Sequence, residues 1–230
     1  MHVIDRPSKY SKEYLKKLFK YTLAEDIANA ITHIVGSFFA IYALINLTWI
    51  AARYGDALDS FAFIFYGLTI LFMFIMSSLY HSMMNHTARS IFKKMDHIAI
   101  YVLILGTYTP YIFSLLKNQR GYIVYMILVL ITILGILFKA FYAGRFKLLS
   151  TFIYIIMGWA VTVMFEDILS GFNYYGLLFL MLGGISYTLG AILYAFAKFK
   201  FSHAIWHVFV LFGVIFHYIS ITFFILQYRS

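Results

Sequence analysis

Seven apolar stretches follow one another along the chain, separated only by short polar breaks. They run over residues 27–51, 61–84, 97–116, 121–139, 148–165, 174–197 and 203–226. A helix needs roughly 20 apolar residues to cross a bilayer, so each is long enough, or nearly so, to span. Inside lipid every backbone amide must be paired within its own segment or in a closed barrel, so runs of this length predict α-helices. The fold class expected is all-α, an integral membrane bundle of seven transmembrane helices. That bundle forms one domain over residues 27–230, behind a short cytoplasmic segment, residues 1–26. Only 12% of the residues are charged, too few to clothe a water-soluble domain, in which about 25% would be.

Lysine and arginine set the expected orientation. Fourteen of the eighteen fall at one end of the alternating spans: six within residues 1–26, then Arg89, Lys93, Lys94, Lys139, Arg145, Lys147, Lys198 and Lys200. Arg53, Lys117, Arg120 and Arg229 fall at the other. Basic segments stay in the cytoplasm, which places the N-terminus inside and the C-terminus outside. The net charge of +9 is therefore a topology signal, and nucleic acid is not an expected partner. Residues 1–26 lack the apolar core of a signal peptide, and the first apolar run is too long to be one. There is no cysteine, so any metal ligand must come from histidine, carboxylate, hydroxyl or water.

That topology brings five polar residues to one depth. His81 lies near the cytoplasmic end of the second span, with Ser77 one turn deeper on the same face. Asp96 opens the third span, and His203 and His207 open the seventh. The i, i+4 spacing puts the last two imidazoles on one helix face, where they can grip one ion. Ionisable groups inside a membrane are costly without partners and mark sites. A single buried histidine is more simply a hydrogen-bonded packing residue; three with a carboxylate at one level point to a metal. With no thiolate available, Zn²⁺ is the expected cofactor, with His81, His203 and His207 as metal ligands. A three-histidine site keeps a fourth position for water and lowers its pKa towards about 7. Asp96 is the expected catalytic base, and Ser77 is expected to orient the water or donate to a developing oxyanion.

The same residues carry a family likeness. Ser77-Ser78-Leu79-Tyr80-His81, Lys94-Met95-Asp96-His97 and His203-Ala204-Ile205-Trp206-His207 resemble the signature segments of the hemolysin III and progestin/adiponectin receptor (PAQR) family. The segment from Glu25 to His33 resembles its opening motif, and Gly106-Thr107-Tyr108-Thr109-Pro110 looks like the bacterial hemolysin III branch. The likeness covers about residues 24–220. It implies seven spans, an inside N-terminus, zinc on the counterparts of the three histidines, and a bacterial plasma membrane as the location. In the wider superfamily such a site is linked to hydrolysis of lipid amides. A membrane lipid amide or ester is accordingly the expected substrate. A sensor with a structural zinc and a lytic or channel-forming protein are the alternatives. A haem protein using His203 and His217 would need a matching deeper histidine that the second span lacks.

The remaining polar groups leave choices open. Glu25, Asn29 and His33 follow an i, i+4, i+8 spacing, either buttressing the ligands or placing charge at a helix start. His217 is either a buried core histidine or part of a polar path. His86 is expected in a solvated loop, and His97 points away from Asp96 as a poor ligand. Pro110 is expected to kink or end its span, and Gly183, Gly184 and Gly190 to allow close helix approach.

Overall fold

Seven long apolar helices make up the computed structural model, which describes residue 16 and residues 18–226. They are α1 (Leu23–Tyr54), α2 (Ala57–Ser82), α3 (His86–Leu116), α4 (Gln119–Tyr142), α5 (Lys147–Gly171), α6 (Tyr174–Phe196) and α7 (Ser202–Phe224). No strand occurs among the described residues. The expected all-α, seven-span membrane bundle is the fold. Most of the basic residues of the first 26, and Arg229, lie outside the described residues.

Local chemistry fixes where the helices begin. Thr22 accepts the Glu25 amide while the Glu25 carboxylate returns to the Thr22 amide, a capping box that starts α1. Asp56 and Asp59 do the same for α2. Asn85, Asn118 and Asn173 cap α3, α4 and α6 through their side-chain oxygens. The Asn85 cap corrects one expectation. Residues 85–94 read as a polar break, yet α3 already begins at His86, so Asp96 sits in its third turn rather than at its start.

Two spans change pitch. Pro110 neither ends nor sharply breaks α3; the helix widens into a π-helical stretch over Tyr111–Leu116 and stops at Lys117, in the left-handed region at φ 46°. Proline lacks the amide that would close an ordinary turn, and a wider turn accommodates its ring. In α5 a 3₁₀ stretch over Ala160–Met164 interrupts the α-helix. The backbone groups freed there are met by one side chain: the Tyr108 hydroxyl lies 2.9 Å from the Met157 carbonyl and 2.8 Å from that of Gly158, and accepts the Val161 amide at 2.8 Å. Glu166 and Asp167, expected as the break between spans five and six, fall inside the helical end of α5; the chain turns at Phe172 and Asn173.

The order of packing decides which ends meet. α2 packs against α1 and α3, α6 against α7, and α7 returns to α1 to close the bundle. The start of α1, the end of α2, the start of α3 and the start of α7 therefore share one end, called here the site end. Close approach depends on small residues. A Cβ on Gly106 would fall 2.8 Å from Thr69 Cβ on α2, and one on Gly183 would fall 2.5 Å from the His217 ring on α7. Gly190 meets Phe209 in the same way, but Gly184, also expected at a helix contact, faces open space.

These contacts give two expectations for thermal unfolding in detergent. Gly106→Ala should cost about 1–3 kcal/mol, because Thr69 is a stiff β-branched neighbour, while Gly184→Ala should be neutral or better. Tyr108→Phe should cost about 1–3 kcal/mol by orphaning the α5 backbone. An unshifted melting temperature in the Gly106 or Tyr108 variant contradicts the packing described.

A three-histidine cluster at the site end

Three of the five predicted site residues come together. One ring nitrogen from each of His81, His203 and His207 lies within 4.8 Å of the others. His81 and His207 are buried, and His203 is 9% exposed.

Hydrogen bonding decides which nitrogen each ring presents. His81 Nδ1 lies 2.8 Å from Asp26 Oδ1. A carboxylate only accepts, so Nδ1 carries the hydrogen and Nε2 keeps a free lone pair. His207 Nδ1 lies 3.1 Å from the Asn29 carbonyl oxygen and 3.1 Å from Thr32 Oγ1. The carbonyl again requires a donor, so His207 Nε2 is free in the same way. Neither Nε2, nor Nδ1 of His203, has a hydrogen-bond partner among the described residues. Buried polar atoms are normally paired, and a cation bound by the clustered rings could supply a missing partner. Tying the outer nitrogen of a metal-binding imidazole to a carboxylate or carbonyl is the usual way of aiming it.

Asp26 was not singled out in the sequence, and it organises the site. Its second oxygen accepts Arg89 Nη2 at 2.6 Å. Arg89, with no exposed surface, also donates to the Leu18 carbonyl from Nε and to the Met83 carbonyl from Nη1, each at 3.1 Å. Its guanidinium packs over the rings of Phe19 and Tyr80. The signal was available: Asp26, Asn29 and His33 follow i, i+3, i+7, the truer helical face. Glu25 lies off that face. It caps α1 and accepts the Phe201 amide at 3.2 Å, so of its two readings the helix-start role fits.

The other predicted residues are placed as follows. Ser77 is fully buried one turn below His81, and its Oγ has no hydrogen-bond partner among the described residues. Asp96 is 4% exposed, with Oδ1 likewise unpartnered and Oδ2 3.6 Å from His97 Nδ1. His97 lies outside the cluster and donates from Nδ1 to the Lys93 carbonyl at 2.7 Å. His33 stacks on His207 with ring centroids 3.6 Å apart. His86 is the first residue of α3 rather than a loop residue, and its ring meets Phe19 edge-on at 5.2 Å. His217 is buried beside the Tyr187 ring at 5.5 Å, remote along α7 from the cluster.

Aromatic rings wall the cluster. His203 stacks on Tyr21 at 4.8 Å and on Trp206 at 4.9 Å, with Tyr194 at 5.9 Å. Burial pushes the Tyr21 phenol well above its ordinary pKa, aided by repulsion from Asp96 and Asp26, so it stays neutral at any physiological pH. Tyr194 and Trp206 also line an apolar cavity of about 130 Å³ between α3, α5, α6 and α7, whose far end reaches Tyr111, Tyr187 and His217.

The family model described as "Haemolysin-III related" matches residues 21–218. The chain is 42% identical over 193 residues to "Hemolysin-3 homolog" of Bacillus subtilis (strain 168), covering 84% of this chain and 91% of that protein. It is 40% identical over 206 residues to "Hemolysin-3" of Bacillus cereus, covering 90% and 94%. It is 27% identical over 214 residues to human "Monocyte to macrophage differentiation factor", covering 88% and 85%.

The Asp26–Arg89 pair should behave as a buried ion pair. Arg89→Leu leaves a buried carboxylate without its cation and should cost about 3–5 kcal/mol, read as a lowered melting temperature in detergent. Adding Asp26→Asn to Arg89→Leu should restore part of that loss. A double variant no more stable than Arg89→Leu alone contradicts the pairing.

Proposed function

The chain belongs to the haemolysin-III related family of multi-pass membrane proteins, and from that premise we propose that it is a zinc-dependent hydrolase of a membrane lipid amide or ester. The observation that carries this reading is the convergence of three imidazoles, each with a buried ring nitrogen that lacks a partner among the described residues, two of the rings being held by bonds through Nδ1. His81, His203 and His207 would hold the ion. A bound Zn²⁺ would supply Lewis acidity towards a carbonyl and a lowered pKa for water.

The chain's own groups then divide the work. Asp96 Oδ1, buried and unpartnered, accepts the proton released by the attacking water and returns it to the leaving amine or alkoxide. Ser77 Oγ donates a hydrogen bond to the oxygen on which charge develops. Asp26 and the Asn29 carbonyl keep His81 and His207 from rotating. The cavity beside Tyr194 and Trp206 is apolar enough to receive an acyl chain without bringing it through water. The charge asymmetry of the loops supports a cytoplasmic location for the site end and a plasma-membrane setting. The linkage between head group and acyl chain of an inner-leaflet lipid would lie at that depth.

Metal analysis of protein purified without added metal tests the reading. About one zinc per chain is expected for a single three-histidine site. His207→Ala should lose it. Asp96→Ala should keep most of the zinc while turnover of a lipid amide or ester falls about 10²–10⁴-fold. Zinc retained in the His207 variant rejects the ligand assignment. Zinc without turnover, unaffected by Asp96→Ala, favours a structural ion in a membrane sensor. The relatives' names bring in lysis as well, and ion flux through liposomes that ligand variants leave unchanged favours that.

A further inference from the structure

The ring of Tyr21 lies over two of the three clustered imidazoles. It stacks on His203 with centroids 4.8 Å apart and sits 5.6 Å from His81. Among the described residues, every other ring against the cluster belongs to a long helix: His33 to α1, Tyr80 to α2, Tyr194 to α6 and Trp206 to α7. Tyr21 belongs to the stretch before α1, which begins at Leu23. Its neighbours Lys20 and Thr22 are exposed, while Tyr21 itself is half-buried. The side chain is thus inserted into the site end from exposed backbone, and withdrawing it needs no helix to move. His203, the ring it stacks on, is also the most exposed of the three clustered histidines.

The same stretch is latched at its other end. Leu18 is buried, and its carbonyl accepts Arg89 Nε at 3.1 Å. The Phe19 ring centre lies 4.7 Å from the Arg89 guanidinium carbon, and the ring meets His86 edge-on at 5.2 Å. Residues 18–21 therefore run as a strap from the start of α3 to the start of α7. Beyond the strap the chain is fixed. Thr22 and Glu25 close the capping box, and Glu25 Oε1 accepts the Phe201 amide at 3.2 Å. Arg89 uses Nε for the strap and Nη2 for Asp26. The strap bond can break while the bond that holds Asp26, and through it His81, stays made. A carbonyl hydrogen bond and ring contacts are individually weak, so the strap opens at small cost compared with unfolding.

We infer that residues 18–21 form a gate over the three-histidine cluster, with the Tyr21 ring as its leaf and Arg89 as its latch. A divalent cation coming from the site end reaches His203 when the Tyr21 ring swings off it, and the hold of Leu18 and Phe19 on Arg89 sets how often that happens. The gate concerns access to the three rings and does not rest on the hydrolase reading given above.

The test uses the full chain purified in detergent and stripped of metal. Diethyl pyrocarbonate acylates accessible imidazoles, and peptide mass spectrometry reads the rate at each histidine. Tyr21→Ala should raise the rate at His203 at least about tenfold, as when a state populated about 0.1–10% of the time becomes the resting one. His217, buried beside Tyr187 and remote from the strap, should not change. Tyr21→Phe keeps the ring and should behave as the wild type. Phe19→Ala should raise the His203 rate roughly two- to fivefold, the factor of one exposed cation–π contact. Tyr194→Ala removes the other tyrosine beside His203 but opens it towards the cavity, and should leave the rate close to that of the wild type. The chain loaded with zinc is then challenged with a coloured chelator. Tyr21→Ala should speed zinc release by a similar factor and leave the amount bound at saturation unchanged. An unchanged His203 rate in Tyr21→Ala overturns the gate. So does an equal rise at His217, the result of a loosened bundle, or an equal rise at His203 in Tyr194→Ala. Faster acylation with unchanged zinc release overturns the gate as the route of the ion. A wild type that binds no zinc but shows the expected acylation pattern removes the hydrolase reading and leaves the gate over the rings standing.

Discussion

An imidazole has two nitrogens, and in a membrane interior each needs a partner. That constraint explains most of the site end. His81 settles one nitrogen on Asp26, and His207 settles one on the Asn29 carbonyl. Each bond fixes the tautomer and turns the other lone pair inward. Because Asp26 would itself be costly as a lone buried carboxylate, it takes Arg89 as well. Arg89 also donates to the Leu18 and Met83 carbonyls and so ties the segment before α1 to the turn between α2 and α3. One requirement, satisfying the outer face of two rings, thus recruits residues from four separate stretches of chain.

The reach of sequence reasoning follows from what each signal encodes. Spans were legible because length and apolarity are local, and all seven expected stretches correspond to helices. Their ends were less so. The start of α3 lies inside a charged stretch, and only the Asn85 cap marks it. The three clustered histidines were legible because charge topology brings their helix ends to one depth. The supporting residues were not, since a buried arginine reads like any other basic residue beside a loop. Glu25 and Asp26 are adjacent carboxylates about 100° apart around a helix, and an i+4 count from Asn29 selects Glu25. The face through Asn29 and His33 fits i, i+3, i+7 better, and it picks out the residue that His81 needs.

The irregular backbone shows the same economy at the level of whole helices. Lipid supplies no donors, so a break in a span must be repaired by protein. In α5 a single tyrosine hydroxyl from α3 serves two carbonyls and one amide. In α3, Pro110 is absorbed by a widened turn rather than an exposed kink. Both features border the apolar cavity, which Tyr108, Gly158 and Val161 help to line. The irregular backbone thus lies where the bundle leaves internal space, and the 3₁₀ turn of α5 is held open towards that space by the same side chain that repairs it.

Both ends of the bundle pair some of their cations within the fold, as Arg89 with Asp26 at the site end. At the far end, Lys117 meets Asp56 at 3.1 Å and Asp59 at 3.5 Å, and Arg120 meets Asp167 at 3.2 Å. Those pairs bridge neighbouring helix ends and leave little field beyond them, because exposed opposite charges screen one another within a few ångströms. At the site end, Lys20 and Lys147 rest on tyrosine rings instead. A ring face offers an ammonium group attraction without neutralising it.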